Sequence, residues 1–292
     1  MIKVGIIGLH NKDNGHPFSF SAIINGYNKK NFKSSPYKVI LDYLEKRKKN
    51  EFGIRGVKIT HAWTQNSKLT KILCKSCNIK YPLKNYEDML DEIDAVIIAR
   101  DNFHYKIAKK FLKKGIPTFI DKPLSLNKKE LKKFSPYLKS AKLMSSSGLR
   151  YSPEVFKLKK SIKKLGKIVS VNANVINNLE NYGVHMLDII DELNLLKVKK
   201  IFRIKQKNID TVNIVCKNKS TINLNCLGRV KKIFNLKIIG KNGFLEENFL
   251  DNFSSFKNTL ITFFKMVKSK KVQLDPKRTL KIMNLIISVK KL

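Results

Sequence analysis

Lys122 stands between Asp121 and Pro123, where a short apolar strand over 118–120 breaks off. An ammonium there, with a proline fixing the chain direction after it, is a candidate substrate-facing group. A second candidate is His185, in the string YGVHMLD over 182–188. It is expected near the start of a helix, whose positive end disfavours imidazolium and leaves a ring able to take a proton. Asp188, one turn on, can orient that ring or cap the helix. A third group is Gly5, Gly8, Leu9 and His10, where a first strand meets a first helix. Backbone amides and a helix N-terminus can approach a phosphate at such a junction. Each group also has a plainer reading: a surface lysine, a buried structural histidine, an ordinary turn.

The elements that would position these groups can be read from periodicity. Residues 94–123 run DAVIIARDNFHYKIAKKFLKKGIPTFIDKP. An apolar run over 95–99 is followed by a helix pattern with Ile107, Ala108, Phe111 and Leu112 on one face. Gly115 stops the helix before the strand at 118–120. Strand, helix and strand in that order make a parallel crossover unit, and ligands bind beyond the carboxyl ends of such strands.

Ahead of this unit the pattern predicts a strand over 3–9, a helix over 19–25 closed by Gly26, and a helical hairpin within 27–56. A strand over 57–63, a helix over 67–77 and a short strand near 79–81 come next. A helix over 128–138 and a strand over 142–146 complete an alternating half, which predicts a parallel sheet with helices on both faces.

After Pro153 the pattern changes. A helix ends at Gly166, a strand carries Val169, Val171, Ala173 and Val175, and a helix spans 183–193. Period-two alternation then marks strands at Phe202/Ile204, Val212/Ile214/Cys216, Ile222/Leu224/Cys226 and Phe234/Leu236/Ile238. That predicts a mostly antiparallel open sheet with one solvated face. Two helices close the chain, the second with Asp275 as N-cap and Pro276 at its first position. The expected fold class is α/β. Domain one spans 1–123 with 124–150 packed on it, and a smaller α+β domain spans 151–292.

At 292 residues the chain is long enough for two domains. Its net charge of +38 points toward polyanions, yet only seven of the 60 basic residues are arginine. Groove readers favour the planar guanidinium fork, and the lysines are scattered instead of massed, so the composition argues against nucleic acid as the partner. No charged-then-apolar leader and no apolar run of ~20 residues is present, which predicts a cytoplasmic chain with no membrane span. Cys74 and Cys77 have metal-ligand spacing, but Cys216 and Cys226 do not form a second close pair. Free thiols and no metal are expected.

The strings IKVGIIGLH, DAVIIARDNFHYKIAKKFLKKGIPTFIDKP, SGLRYSP and GVHMLD, in this order, resemble the Gfo/Idh/MocA family, the relatives of glucose–fructose oxidoreductase and inositol dehydrogenase. The likeness covers nearly the whole chain and marks a divergent member. It implies an N-terminal Rossmann-like domain binding NAD or NADP, and a second domain for a sugar or cyclitol. By this likeness Lys122 hydrogen-bonds the reacting hydroxyl and His185 is its general base. Gly5, Gly8, Leu9, His10, Asn102, His104, Asp121 and Lys122 then line the cofactor, and Arg150, Asn181 and Asp188 the substrate.

The chain departs from the family pattern at several places, Asp121 in place of a glutamate among them. His10 and Asp13 replace glycines, and Asn181 stands where an aspartate is frequent. Thr64, Gln65, Asn66 and Ser67 offer no carboxylate for a ribose. Nothing then repels a 2′-phosphate, and NAD against NADP stays open. The expectation is an NAD(P)-dependent oxidoreductase acting on a sugar, with nucleotide-linked sugars for surface polysaccharide among the candidates, assembled as a homo-oligomer through its C-terminal sheet. The alternative is a family member that binds a ligand or partner without turnover.

Overall fold

A computed structural model describes residues 1–11 and 14–292 as two compact units. Asp13 lies outside the described residues. The first unit takes in residues 1–125, 129–145 and 259–276; the second takes in 126–128, 146–258 and 277–292.

The first unit is built on six parallel strands: β1 (Ile2–Leu9), β2 (Val57–Thr64), β3 (Tyr81–Pro82), β4 (Ala95–Arg100), β5 (Thr118–Ile120) and β6 (Leu143–Met144). Their spatial order is β3-β2-β1-β4-β5-β6, with every neighbouring pair parallel. β4 is buried at every residue, as its unbroken apolar run requires of a strand covered on both faces. The helices are α1 (His16–Asn25), α2 (Lys29–Phe32), α3 (Lys38–Glu45), α4 (Ser67–Ser76), α5 (His104–Lys113) and α6 (Lys128–Lys139). α1 packs on β1, β2 and β4, and α5 on β4 and β5. Residues 259–276 complete this core, where Phe263 meets Phe119 at 5.7 Å between ring centroids. The expected hairpin in 27–56 is instead two short helices and a 3-10 turn at Lys49–Glu51. Gly53, with φ near +91°, is one place where the helical path breaks there.

The second unit carries α7 (Pro153–Ser161), β7 (Ile168–Val175), α8 (Val184–Glu192), β8 (Val198–Lys205), β9 (Asp210–Cys216), β10 (Thr221–Cys226), β11 (Phe234–Gly240) and β12 (Gly243–Asn248). α9 (Asn252–Ser269) and α10 (Pro276–Val289) follow. The strands form one sheet in the order β12-β11-β7-β10-β9-β8, antiparallel throughout except for β7 with β10. Val171, Ala173, Ile222, Leu224, Leu236 and Ile238 are buried on its inner face. The other face carries amides in cross-strand contact, with Asn223 donating to Asn172 at 2.9 Å and Asn225 to Asn174 at 3.0 Å. β12 is an element the sequence reading missed, because its Leu-Glu-Glu-Asn stretch lacks apolar alternation.

Candidate functional site

In the first unit the carboxyl ends of β2, β1 and β4 adjoin. The strand order switches direction at β1/β4, the place where ligands bind in open parallel sheets. Gly8 is required there: a Cβ would lie 2.3 Å from Pro17 Cγ, so only glycine lets α1 start against the strand end. Leu9 and His10 have φ near +70° and +115°, a backbone shape that glycine adopts without cost. The Leu9 side chain is buried, so only its backbone can face a ligand. Gly5 departs from expectation. It lies inside β1, where a Cβ would sit 2.3 Å from Met89 Sδ, and it serves packing instead of a cofactor.

Around this turn, side chains link the three strand ends. Arg100, buried at the end of β4, donates from Nη1 to the Gly8 carbonyl and to Gln65 Oε1, both at 3.2 Å. Its Nε and Nη2 donate to Asn102 Oδ1 at 3.2 and 2.9 Å, and its guanidinium lies 5.6 Å from the Trp63 ring. Burial pushes this guanidinium down from its ordinary value, against the pull of Asp101. His10 reaches Asp101, with Nδ1 2.9 Å from Oδ1, and its side chain is 49% exposed. His104 also departs from its expected role. Both of its ring nitrogens meet backbone carbonyls, Arg100 O at 2.7 Å and Leu124 O at 2.9 Å, so the ring braces the segments after β4 and β5.

Asp121 is buried after β5, with Oδ2 2.6 Å from His16 Nδ1. Burial pushes its carboxyl up, but His16 and Lys122 outweigh this and hold it below the ordinary aspartate value. Lys122, half-buried beside it, is pushed down from its ordinary value by burial, opposed by Asp121 and Asp101. The sequence reading missed Arg100 and His16. A histidine just before Pro17 at a helix start was visible, but its partner lies 105 residues away.

These residues fit a dinucleotide by the chemistry of their donors. A guanidinium and two amides stand beside the glycine turn. Gln65, Asn66 and Ser67 after β2 hold no carboxylate against a 2′-phosphate.

In the second unit Ser147 caps a 3-10 turn at Gly148–Tyr151, its Oγ accepting from the Leu149 amide at 3.1 Å. The same Oγ lies 2.6 Å from His185 Nδ1, and the Ser147 amide donates to Asp188 Oδ2 at 2.5 Å. The His185 ring is buried edge-on to Phe234 at 5.7 Å. Arg150 is fully buried, donating from Nε to Asp188 and from Nη2 to Asp191 at 2.6 Å each, and from Nη1 to Glu192. Lys281 and Arg278 also pair with Asp191, and Lys159 with Glu192. Burial alone would push the Arg150 guanidinium down, but Asp188, Asp191 and Glu192 hold it above its ordinary value. Arg150 and Asp188 were expected at the substrate; the structure commits them to this internal network. Asn181 is exposed, its amide donating to Asn178 Oδ1 at 2.8 Å.

The expectation of a helix start at His185 also changes. A π turn at Leu179–Gly183, capped by Asn178, runs straight into α8 and places His185 beyond the first turn, where the helix dipole has faded.

Among the described residues no group of three His, Cys, Asp or Glu side chains is placed to hold a metal ion. Cys74, Cys77, Cys216 and Cys226 are buried and free, with burial pushing the Cys74 and Cys226 thiols up to about 12. Among the described residues no helix is long and apolar enough to cross a membrane.

Residues 37–149 match the model of an oxidoreductase family with an NAD-binding Rossmann fold, GFO_IDH_MocA. No curated protein sequence matches. Among solved structures, scyllo-inositol dehydrogenase from Lactobacillus casei is similar at a TM-score of 0.78 and 15% identity, over 100% of this chain and 95% of that one. The corresponding values for myo-inositol 2-dehydrogenase from Lactobacillus plantarum are 0.79 and 16%, over 99% and 96%. UDP-N-acetylglucosamine 3-dehydrogenase from Acidithiobacillus ferrooxidans matches at 0.75 and 14%, over 99% and 97%. The segment match and the fold shared along the full chain make this protein similar to NAD-binding Rossmann oxidoreductases of the Gfo/Idh/MocA family.

Proposed function

We propose that this chain is an NAD(P)-dependent oxidoreductase acting on a CH–OH group of a sugar or sugar derivative. The observation that carries this reading is Lys122. It is a half-buried amine with a lowered proton affinity, directly after β5 of a parallel sheet whose strand order reverses at β1/β4, beside the positive-φ residues Leu9 and His10 that end β1. When bound, the nicotinamide supplies the hydride donor or acceptor. Lys122 is assigned to the substrate's oxygen, to exchange its proton or hold it by a hydrogen bond, and His185 is kept as the other candidate for that role. Asp121, paired with His16, keeps a negative charge beside the Lys122 ammonium.

The substrate is proposed to carry an anionic substituent, as a phosphorylated or nucleotide-linked sugar does. A cavity of about 720 Å³ in the second unit supports this, lined by Arg203, Lys205, Lys207 and Arg229 together with Glu180 and Asp210. Asp210 is paired with Arg203 and Glu180 with Lys290, which leaves the cationic side in excess. Pairing of two copies through the open amide face, where Phe202, Ile204 and Phe244 are exposed, and a cytoplasmic location complete the proposal.

A second reading, ligand or partner binding without turnover, draws on Arg100 and His10, whose side chains link the ends of β1, β2 and β4. Fluorescence titration with NADH and NADPH separates the two. We expect saturable binding of at least one below hundreds of micromolar. Absence of both leaves only the second reading.

A further inference from the structure

We infer that Arg100 selects the cofactor, making this chain specific for NADP(H) over NAD(H) by holding the 2′-phosphate where the guanidinium now meets Gln65. This deepens the proposed dinucleotide reading and rests on it.

Arg100 is only 4% exposed, yet its charge has no counter-ion beside it. Its hydrogen-bond acceptors are the Gly8 carbonyl, Gln65 Oε1 and Asn102 Oδ1, all neutral. Among the described residues no carboxylate pairs with it, and the Asp101 carboxylate next to it faces His10 Nδ1 instead. Arg150 makes the contrast, buried too but set against Asp188, Asp191 and Glu192. A buried cation with only amide and carbonyl partners carries a desolvation cost that those partners do not offset. An anionic ligand would offset it.

The position of the charge says which anion. Arg100 stands at the end of β4, but its Nη1 bridges the Gly8 carbonyl of β1 and Gln65, the first residue after β2. The Trp63 ring of β2 flanks the guanidinium at 5.6 Å. In dinucleotide sites on open parallel sheets a carboxylate takes the ribose 2′-hydroxyl, whereas an arginine nearby takes a 2′-phosphate. Here Gln65, Asn66 and Ser67 follow β2 with no carboxylate, and a guanidinium stands beside them.

Gln65 is the cover over this charge. Its side chain is exposed and bridges Arg100 to the His10 carbonyl, to which Nε2 donates at 2.9 Å. Turning that one side chain aside exchanges a neutral amide acceptor for a phosphate oxygen, a stronger partner for a guanidinium.

Calorimetric titration with NADPH and with NADH tests the inference. Adenosine 2′,5′-bisphosphate against adenosine 5′-monophosphate repeats the comparison without the nicotinamide. We expect the 2′-phosphorylated member of each pair to bind about 10–100-fold tighter, the worth of a hydrogen bond to a charged group. Arg100→Gln should remove that difference. Gln65→Glu, at an exposed position, should remove it as well, by giving Arg100 a carboxylate and repelling the phosphate. The second variant decides the matter if the first does not fold. NADH binding as tightly as NADPH overturns the inference and leaves the oxidoreductase reading standing. A preference that survives either substitution overturns the assignment to Arg100. Binding of neither dinucleotide overturns the inference and that reading together.

Discussion

Replacing Arg150 by methionine should destabilise the second unit by about 3–5 kcal/mol, the cost of stranding buried carboxylates, and lower the melting temperature by roughly 10 °C. Asp191 and Glu192 keep Lys281, Arg278 and Lys159 as partners, so most of the loss should come from Asp188. Asp188 is buried, with the Ser147 amide as its remaining donor. Burial already pushes its carboxyl up against the pull of Arg150, and without the guanidinium it should protonate. Adding Asp188→Asn to Arg150→Met should therefore recover part of the loss. Denaturant unfolding of the single and double variants measures both effects. A loss below about 1 kcal/mol would place the network with surface ion pairs.

The largest effect on activity is expected at Lys122. Lys122→Met should lower turnover by about 10²–10⁴-fold, the usual contribution of a positioned proton donor or acceptor. His185→Gln should lower turnover as well, with cofactor binding intact. The pH profile adds a signed expectation. Burial lowers the proton affinity of Lys122, so alcohol oxidation should rise with pH along a limb below the ordinary lysine value of 10.5. Loss of that limb in Lys122→Met, with some residual rate, would assign it to the amine. A limb that survives the substitution would assign the proton to another group.

The crossover unit was legible from sequence because its signals are local. The apolar run of β4, the single apolar face of α5, Gly115 and the break at Asp121-Lys122-Pro123 lie within 30 residues, and together they place Lys122 at a strand end. The alternation of β9, β10 and β11 was equally plain. Partners were not legible. His16 and Asp121 are 105 residues apart, Arg100 and Gly8 are 92, and Ser147 and His185 are 38. Such pairs form only when the sheet brings chain ends together, and no periodicity encodes them. Arg150 shows the limit most clearly. It was expected at the substrate, while Asp188, Asp191 and Glu192 on α8 hold it in an internal network.

The first unit borrows a piece of chain from far downstream, and this limits how the protein can be cut. Phe119, in the middle of β5, is covered in part by Phe263, and Lys268 donates to the Arg55 carbonyl at 3.1 Å. A fragment stopped near residue 150 would keep every strand of the parallel sheet yet leave that aromatic surface bare. Its natural remedy is the missing amphipathic segment itself, offered as a separate peptide spanning 259–276.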